Sequence, residues 1–421
     1  MNWPDIRNLK FTAVGTFLAL LIVAFIPNFG IDKYGPSSAL PAALLGLMGV
    51  RLLGKERATL FAVPAQRRWA MIALLLFVPI LISVPASYQV RYSASVAAAM
   101  VIYYFTGAAL IKALGGDERR LWLARWIGLV LIFWLADSFV QYGFGRDLFG
   151  IAITPDGRVT GPFEGNLRQA MFLAMLMPVV IAALRTWNRG WVWALLFFAA
   201  AATIALLSGV RMVLVMLAIV VAGLFLHLPR SCWKWPLLAV LPVIVVLVIA
   251  LSPVLKQRMA LFAEVQQLDF ATVDRLLSFR AGIWETGFNM LRDRPLTGVG
   301  AGAFEKAYKD YASRPDDVFA RGAARVYHAH QVYVSFAAET GVPGLLALMG
   351  ALLLCIRWYW EAPPERRARA WPYALALTVY FFPINTQPPL FNHWLFPVLL
   401  LLLAAMLAAL DGPDKPAAGA V

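Results

Sequence analysis

The chain has 421 residues, of which 61% are hydrophobic and 14% charged; a soluble domain runs about 25% charged, so a soluble globular protein is excluded. The net charge of +14 calls for no nucleic acid. Lysine and arginine sit mostly beside apolar runs, where they retain loops on one side of a membrane and face anionic headgroups.

Apolar runs near the length that crosses a bilayer, roughly 20 residues, recur at twelve places. They fall at about 11–27, 37–53, 69–86, 94–113, 121–143, 167–184, 191–208, 211–228, 235–252, 331–356, 371–386 and 390–410. The first run lacks a small-x-small cleavage site after it and reads as a retained anchor. The seventh and eighth are parted only by Ser208-Gly209-Val210-Arg211, which predicts a tight helical hairpin. Twenty of the 37 lysines and arginines fall in alternate connections that include both ends of the chain, and six fall in the opposite short loops. That bias predicts an even number of spans with both termini cytoplasmic. Four regions follow: 1–252 with spans one to nine, 253–329 as one long external loop, 330–410 with spans ten to twelve, and 411–421 as a Pro/Ala/Gly-rich disordered tail. Cys232 and Cys355 fall at cytoplasmic span ends, so neither a disulfide nor a two-cysteine metal site is supported.

Two external segments carry polar chemistry. The loop from Gly143 to Arg168 holds Arg158-Val159-Thr160-Gly161-Pro162-Phe163-Glu164-Gly165-Asn166, a glycine- and proline-built turn. The long loop reads as mainly helical. Val254 to Leu268 has amphipathic spacing suited to a membrane surface. Arg275 to Leu291 predicts a helix burying Leu276, Ile283, Phe288 and Leu291, stopped by Pro295 and Gly298. Ala303 to Ser313 predicts another. The loop ends on His328-Ala329-His330-Gln331-Val332-Tyr333, two of the four histidines, with several arginines nearby.

Three patches now stand in order. They are Arg158, Gly161, Phe163 and Asn166; then Arg280, Trp284, Pro295 to Gly300, Gly302 and Phe304; then His330, Tyr333, Glu339, Gly341 and Gly344. This order resembles the O-antigen ligase and polymerase superfamily of bacterial envelope glycosyltransferases. Gln331 replaces the usual asparagine and keeps the amide, and Val334 replaces a common leucine. The resemblance implies an all-α, GT-C-like integral membrane fold of about twelve transmembrane helices, with one large periplasmic loop between helices nine and ten. It implies a bacterial inner-membrane enzyme with its site facing the periplasm. The donor would be a glycan on undecaprenyl pyrophosphate, and the acceptor a sugar hydroxyl of lipid A-core. No cofactor and no metal is implied.

On that reading, arginines bind the departing pyrophosphate through their planar fork and stabilise charge that grows in the transition state. A neutral histidine suits a general base near pH 7. His330 is the expected base, or else it only orients the acceptor. Arg211 and Arg280 are the expected phosphate ligands, with Arg158, Asn166, His328, Gln331, Tyr333, Arg321 and Arg325 around the substrates. Plainer readings stand beside these. Arg211 suits an interfacial snorkelling role, Arg280 a salt bridge with Asp274 or Glu285, and Arg158 a brace within its own loop. Arg321 and Arg325 suit headgroup-facing charges. His328 reads as a neighbour rather than a catalyst, and no acidic or cysteine cluster joins the two histidines in a metal site. Asp137, inside a span, suits either an ion pair or a protonated hydrogen-bonded contact, and Glu339 a structural hydrogen bond. Ligase and polymerase differ only in acceptor, and a relative that glycosylates periplasmic proteins shares the patches. A transporter fits less well, because the polar residues gather on one face rather than at the midplane.

Overall fold

A computed structural model describes residues 3–27, 37–60, 63–164, 166–227, 234–251, 272, 274, 277, 280–313, 328–384, 386 and 388–411. All regular structure among them is helical. In chain order α1 is Trp3–Ala24, α2 Ala39–Leu60, α3 Pro64–Ser83, α4 Val90–Ala113, α5 Asp117–Phe144, α6 Arg168–Leu184 and α7 Gly190–Leu207. Then come α8 Met212–His227, α9 Lys234–Leu251, α10 Ala281–Asp293, α11 Phe304–Tyr311, α12 Val332–Glu361, α13 Pro364–Phe381 and α14 Phe396–Asp411. A helix lies at each of the twelve predicted apolar runs. Five are long and apolar enough to cross a membrane: α3, α4, α5, α7 and α12.

The bundle core forms where small residues let helices close. A side chain at Gly49 would meet the Phe105 backbone of α4, and one at Gly107 would meet the Trp69 indole; Trp69 is fully buried and donates to the Tyr104 carbonyl at 2.9 Å. α6 is buried on every side, packed against α5, α7, α8 and α13, which is why it lacks a polar face. The turn between α7 and α8 is as short as expected, with Gly209 at φ +67°. The two arms then diverge: α7 packs on α6 and α9, α8 on α6 and α13.

The segment 280–313 folds onto one end of this bundle, called the upper end below. α10 buries Ile283, Thr286, Gly287 and Met290, a stripe at helical spacing, against α12 and α11. Phe288 lies off that stripe and is exposed, which corrects its expected burial. Described helix starts at Ala281, with Arg280 as its cap residue. Leu276, the start of the predicted helix at Arg275, the predicted helix from Val254 to Leu268, and Arg321 and Arg325 all lie outside the described residues.

Candidate functional site

A backbone clamp fixes the site. After α10 the chain turns through Pro295 to Ala301, with the Gly298 N–H donating back to the Arg294 carbonyl at 2.9 Å, and bonds to α12 where that helix is broken at Gly341, φ +73°. The Val299 N–H donates to the Ala338 carbonyl at 2.9 Å, Gly300 N–H to the Glu339 carbonyl at 3.0 Å, and Val342 N–H to the Pro295 carbonyl at 2.7 Å. These bonds satisfy backbone groups that the break frees from the helix ladder. The Glu339 side chain faces the Gly302 and Phe304 amides. On its other side the same run meets the α3–α4 tip. The Tyr88 N–H donates to Val299 O at 2.9 Å, Ser93 Oγ to Ala301 O at 2.7 Å, and Arg294 Nη1 to Ala86 O at 2.6 Å. The glycines of the second patch are steric necessities: a Cβ on Gly298 would lie 2.4 Å from the Glu339 backbone carbon, and one on Gly300 2.7 Å from Ser87 Cα.

This clamp delivers Arg280, at the start of α10, to the two histidines that precede α12. The His328 and His330 rings lie 4.1 Å apart. The Trp284 indole, one turn into α10, donates to the carbonyl of Ala329 between them at 2.9 Å. His330 N–H donates to His328 Nδ1 at 3.1 Å, so the proton of a neutral His328 rides on Nε2. His330 itself has φ +52°, a left-handed conformation that a side chain rarely adopts and that costs about 1–3 kcal/mol. Burial lowers the His330 pKa to about 3, helped by His328 and then by Arg280. Burial, then the Arg280 charge, lowers His328 to about 4. Both imidazoles are therefore neutral at physiological pH; the His328 Nδ1 lone pair is taken by the His330 N–H, which leaves the ring of His330 to accept a proton.

Gln331 caps α12. Its Oε1 accepts from Val334 N–H at 2.8 Å and its Nε2 donates to the Pro383 carbonyl at 2.9 Å. Tyr333 O–H donates to the Phe381 carbonyl. These two residues tie the histidine segment to the α13–α14 connection. Below them, between α3, α8, α12, α13 and α14, runs a cavity of ≈ 690 Å³ with an almost wholly apolar lining. Tyr333 and Pro383 stand at its upper end, and His227, Tyr359 and Trp371 at its lower end.

The first patch is built as a platform. Gln141 Oε1 accepts from the Thr160 and Gly161 amides at 2.8 and 2.9 Å, and Phe163 packs edge-on to Trp134, centroids 5.1 Å apart. Asn166 Oδ1 accepts from the Arg168 amide at 3.1 Å, opening α6. Arg158 is ion-paired with Asp156 of its own loop, the bracing arrangement its sequence allows. The neighbouring Val159 N–H reaches the Leu207 carbonyl at 3.3 Å, so this loop lies against the turn that bears Arg211. Asp137, fully buried, accepts from Leu148 N–H at 2.9 Å and ties α5 to the same loop. Among the described residues no group of three or more His, Cys, Asp and Glu side chains is placed to hold a metal.

The family model for O-antigen ligase matches residues 196–349. That stretch, rather more than a third of the chain, is similar to the O-antigen ligase family. No curated protein matches it. The O-antigen ligase region opens inside α7 and closes inside α12, so Arg211, Arg280, His328 and His330 all lie within it. Arg158, Asn166 and the α13–α14 connection lie outside it. That connection escaped the sequence reading, although it carries His393, the fourth histidine, and supports Gln331.

Proposed function

We propose that the protein transfers a glycan from undecaprenyl pyrophosphate to a sugar hydroxyl of lipid A-core, at the periplasmic face of the bacterial inner membrane, crossing that membrane twelve times. The observation that carries this reading is the joint placement of Arg280 and two neutral, half-buried histidines above an apolar cavity, inside the O-antigen ligase region. The cavity takes the polyprenyl chain, and its upper end at Tyr333 and Pro383 leads the diphosphate to the arginines.

In the proposed reaction the acceptor hydroxyl attacks the anomeric carbon from the face opposite the diphosphate. The new C–O bond forms as the old one breaks, its electron pair leaving on the pyrophosphate oxygen, and the anomeric centre inverts. The hydroxyl proton passes to His330. Arg280 and Arg211 meet the charge that accumulates on the leaving oxygen. A base with a pKa near 3 is weak, and burial, the main cause, persists in the site. The donor diphosphate brings negative charge to Arg280, which offsets the smallest cause of the depression and raises the imidazole.

The test is reconstitution of the purified chain with an undecaprenyl-pyrophosphate glycan, with and without lipid A-core. Glycan-bearing lipid A, formed only with acceptor and lost in His330→Ala, is the expected result. A lengthened lipid-linked glycan without lipid A would make the enzyme a polymerase, and a glycosylated protein acceptor a protein-directed transferase.

A further inference from the structure

A further arginine, held on an aromatic ring, stands at the upper end of the bundle and has no part in the reaction described above. Arg168 opens α6. Its guanidinium carbon lies over the Trp394 ring, 4.4 Å from the centroid. Its Nε is buried with no hydrogen-bond partner, and no carboxylate meets the side chain among the described residues. Burying such a donor without an acceptor costs about 1–3 kcal/mol.

The indole that holds Arg168 is itself held. The Trp394 backbone N–H donates to Asn392 Oδ1 at 3.3 Å, its backbone carbonyl accepts from Ser38 Oγ at 2.7 Å, and its ring packs edge-on against Phe172 of α6, centroids 5.9 Å apart. His393, exposed at the rim, is near enough to feel Arg168: partial burial of the ring, then the guanidinium charge, hold its imidazole below the usual range. A neutral His393 offers one N–H donor beside the cation. The connection that carries both residues also accepts from Gln331 through Pro383 and packs Phe391 on Phe336 of α12. The cluster thus shares a rigid support with His330.

We propose that Arg168, held by Trp394 and flanked by His393, is a second anion subsite that takes a phosphate group of a lipid in the same membrane leaflet. An arginine stacked on an aromatic plane keeps its edge for bidentate contact with phosphate oxygens. On the orientation proposed above, Arg168 also stands on the translocated side, where the lysine and arginine bias disfavours it. The lower end of α6 supplies a control. Arg185 lies over Trp191 at the same 4.4 Å, also with a buried, unpartnered Nε, but on the side where arginines are retained for topology alone.

The phosphate affinity does not depend on the transfer reaction; only the assignment of the phosphate to a substrate rests on that reading. The first arm is native mass spectrometry of the full chain with dioctanoyl phosphatidic acid, compared with dioctanoyl glycerol. Arg168→Gln is expected to lower the phosphate-dependent affinity about tenfold, the loss of roughly one charge-assisted hydrogen bond. Arg168→Lys should retain part of it, and Arg185→Gln all of it. Equal binding by wild type and Arg168→Gln, or equal loss in Arg168→Gln and Arg185→Gln, overturns the subsite and leaves two interfacial anchors. The second arm is steady-state kinetics of Arg168→Gln. A raised KM for lipid A-core alone assigns the phosphate to the acceptor, a raised KM for the donor alone to the donor, and neither, with binding lost, to a structural phospholipid. Wild-type protein that binds phosphatidic acid but transfers nothing would count against the transfer reaction and leave the subsite standing.

Discussion

At the scale of single residues, the neutrality of the histidine pair sets how the protein responds to acid. An ordinary histidine protonates near pH 6.5, whereas His328 and His330 hold out to about 4 and about 3 in the folded chain. Between those limits the unfolded chain binds more protons than the folded one, so stability falls as pH drops from about 6.5 towards 4 and is fully present above that window. Thermal unfolding in detergent at pH 7.5 and pH 4.5 reads this directly, and the midpoint should fall at the lower pH. His328→Gln with His330→Gln should shrink that fall; an unchanged fall would assign it to other groups. Removing the Arg280 charge should move both histidines up. For Arg280→Gln the acid limb of kcat/KM is therefore expected at higher pH than in wild type, together with weaker use of donor. A pH profile that keeps its shape would separate Arg280 from the histidines. His330→Ala should reduce kcat about 10²–10⁴-fold, the range for loss of a general base, and an unaltered kcat would remove His330 from the chemistry.

At the scale of elements, the clamp between the Pro295–Ala301 run and broken α12 decides whether Arg280 reaches the histidines at all. Gly298→Ala places a Cβ against the Glu339 backbone at φ +61°, a steric and conformational penalty on the order of 3 kcal/mol. The expected outcome is protein that inserts but whose 280–313 segment is cut by protease faster than in wild type; equal cutting would show that the clamp tolerates the change. Helix positions were legible in the sequence because an apolar run of bilayer length reports itself whatever it packs against. The clamp was not. Glycines at 298, 300 and 341 are visible in the chain, but their partners are backbone groups far away in sequence, and no local periodicity reports those. Phe288 was misjudged for a related reason. Apolarity alone nominated it, while the phase set by Ile283, Thr286, Gly287 and Met290 turns it outward. His328 and His330 were legible as a pair; the left-handed turn at His330 that brings their rings together was not, since only glycine and a few polar residues advertise positive φ.

At the scale of the whole molecule, the proposed arrangement puts the histidine site on the side opposite most lysines and arginines, and labelling tests it. A cysteine at Lys306 should react with a membrane-impermeant maleimide from the periplasmic side of intact cells, and one at Arg67 only after the membrane is opened. Labelling of both, or of Arg67→Cys alone, would invert the arrangement. The site drew on both halves of the chain, which is why its recognition in sequence was partial. The stretch from α7 to α12 carries the proposed chemistry, but Ser83, Tyr88 and Ser93 at the α3–α4 tip and Pro383 after α13 hold it in place. The clamp also imposes an order of assembly. The Pro295–Ala301 run is synthesised after the α3–α4 tip and before α12, yet it bridges the two. The nascent external segment therefore has one dock waiting when it emerges and lacks the other until α12 has entered the membrane. During that interval Met290, Val299 and Phe304, which end fully buried, have only half their cover, and the growing chain is at its most vulnerable to proteases and chaperones on that side of the membrane.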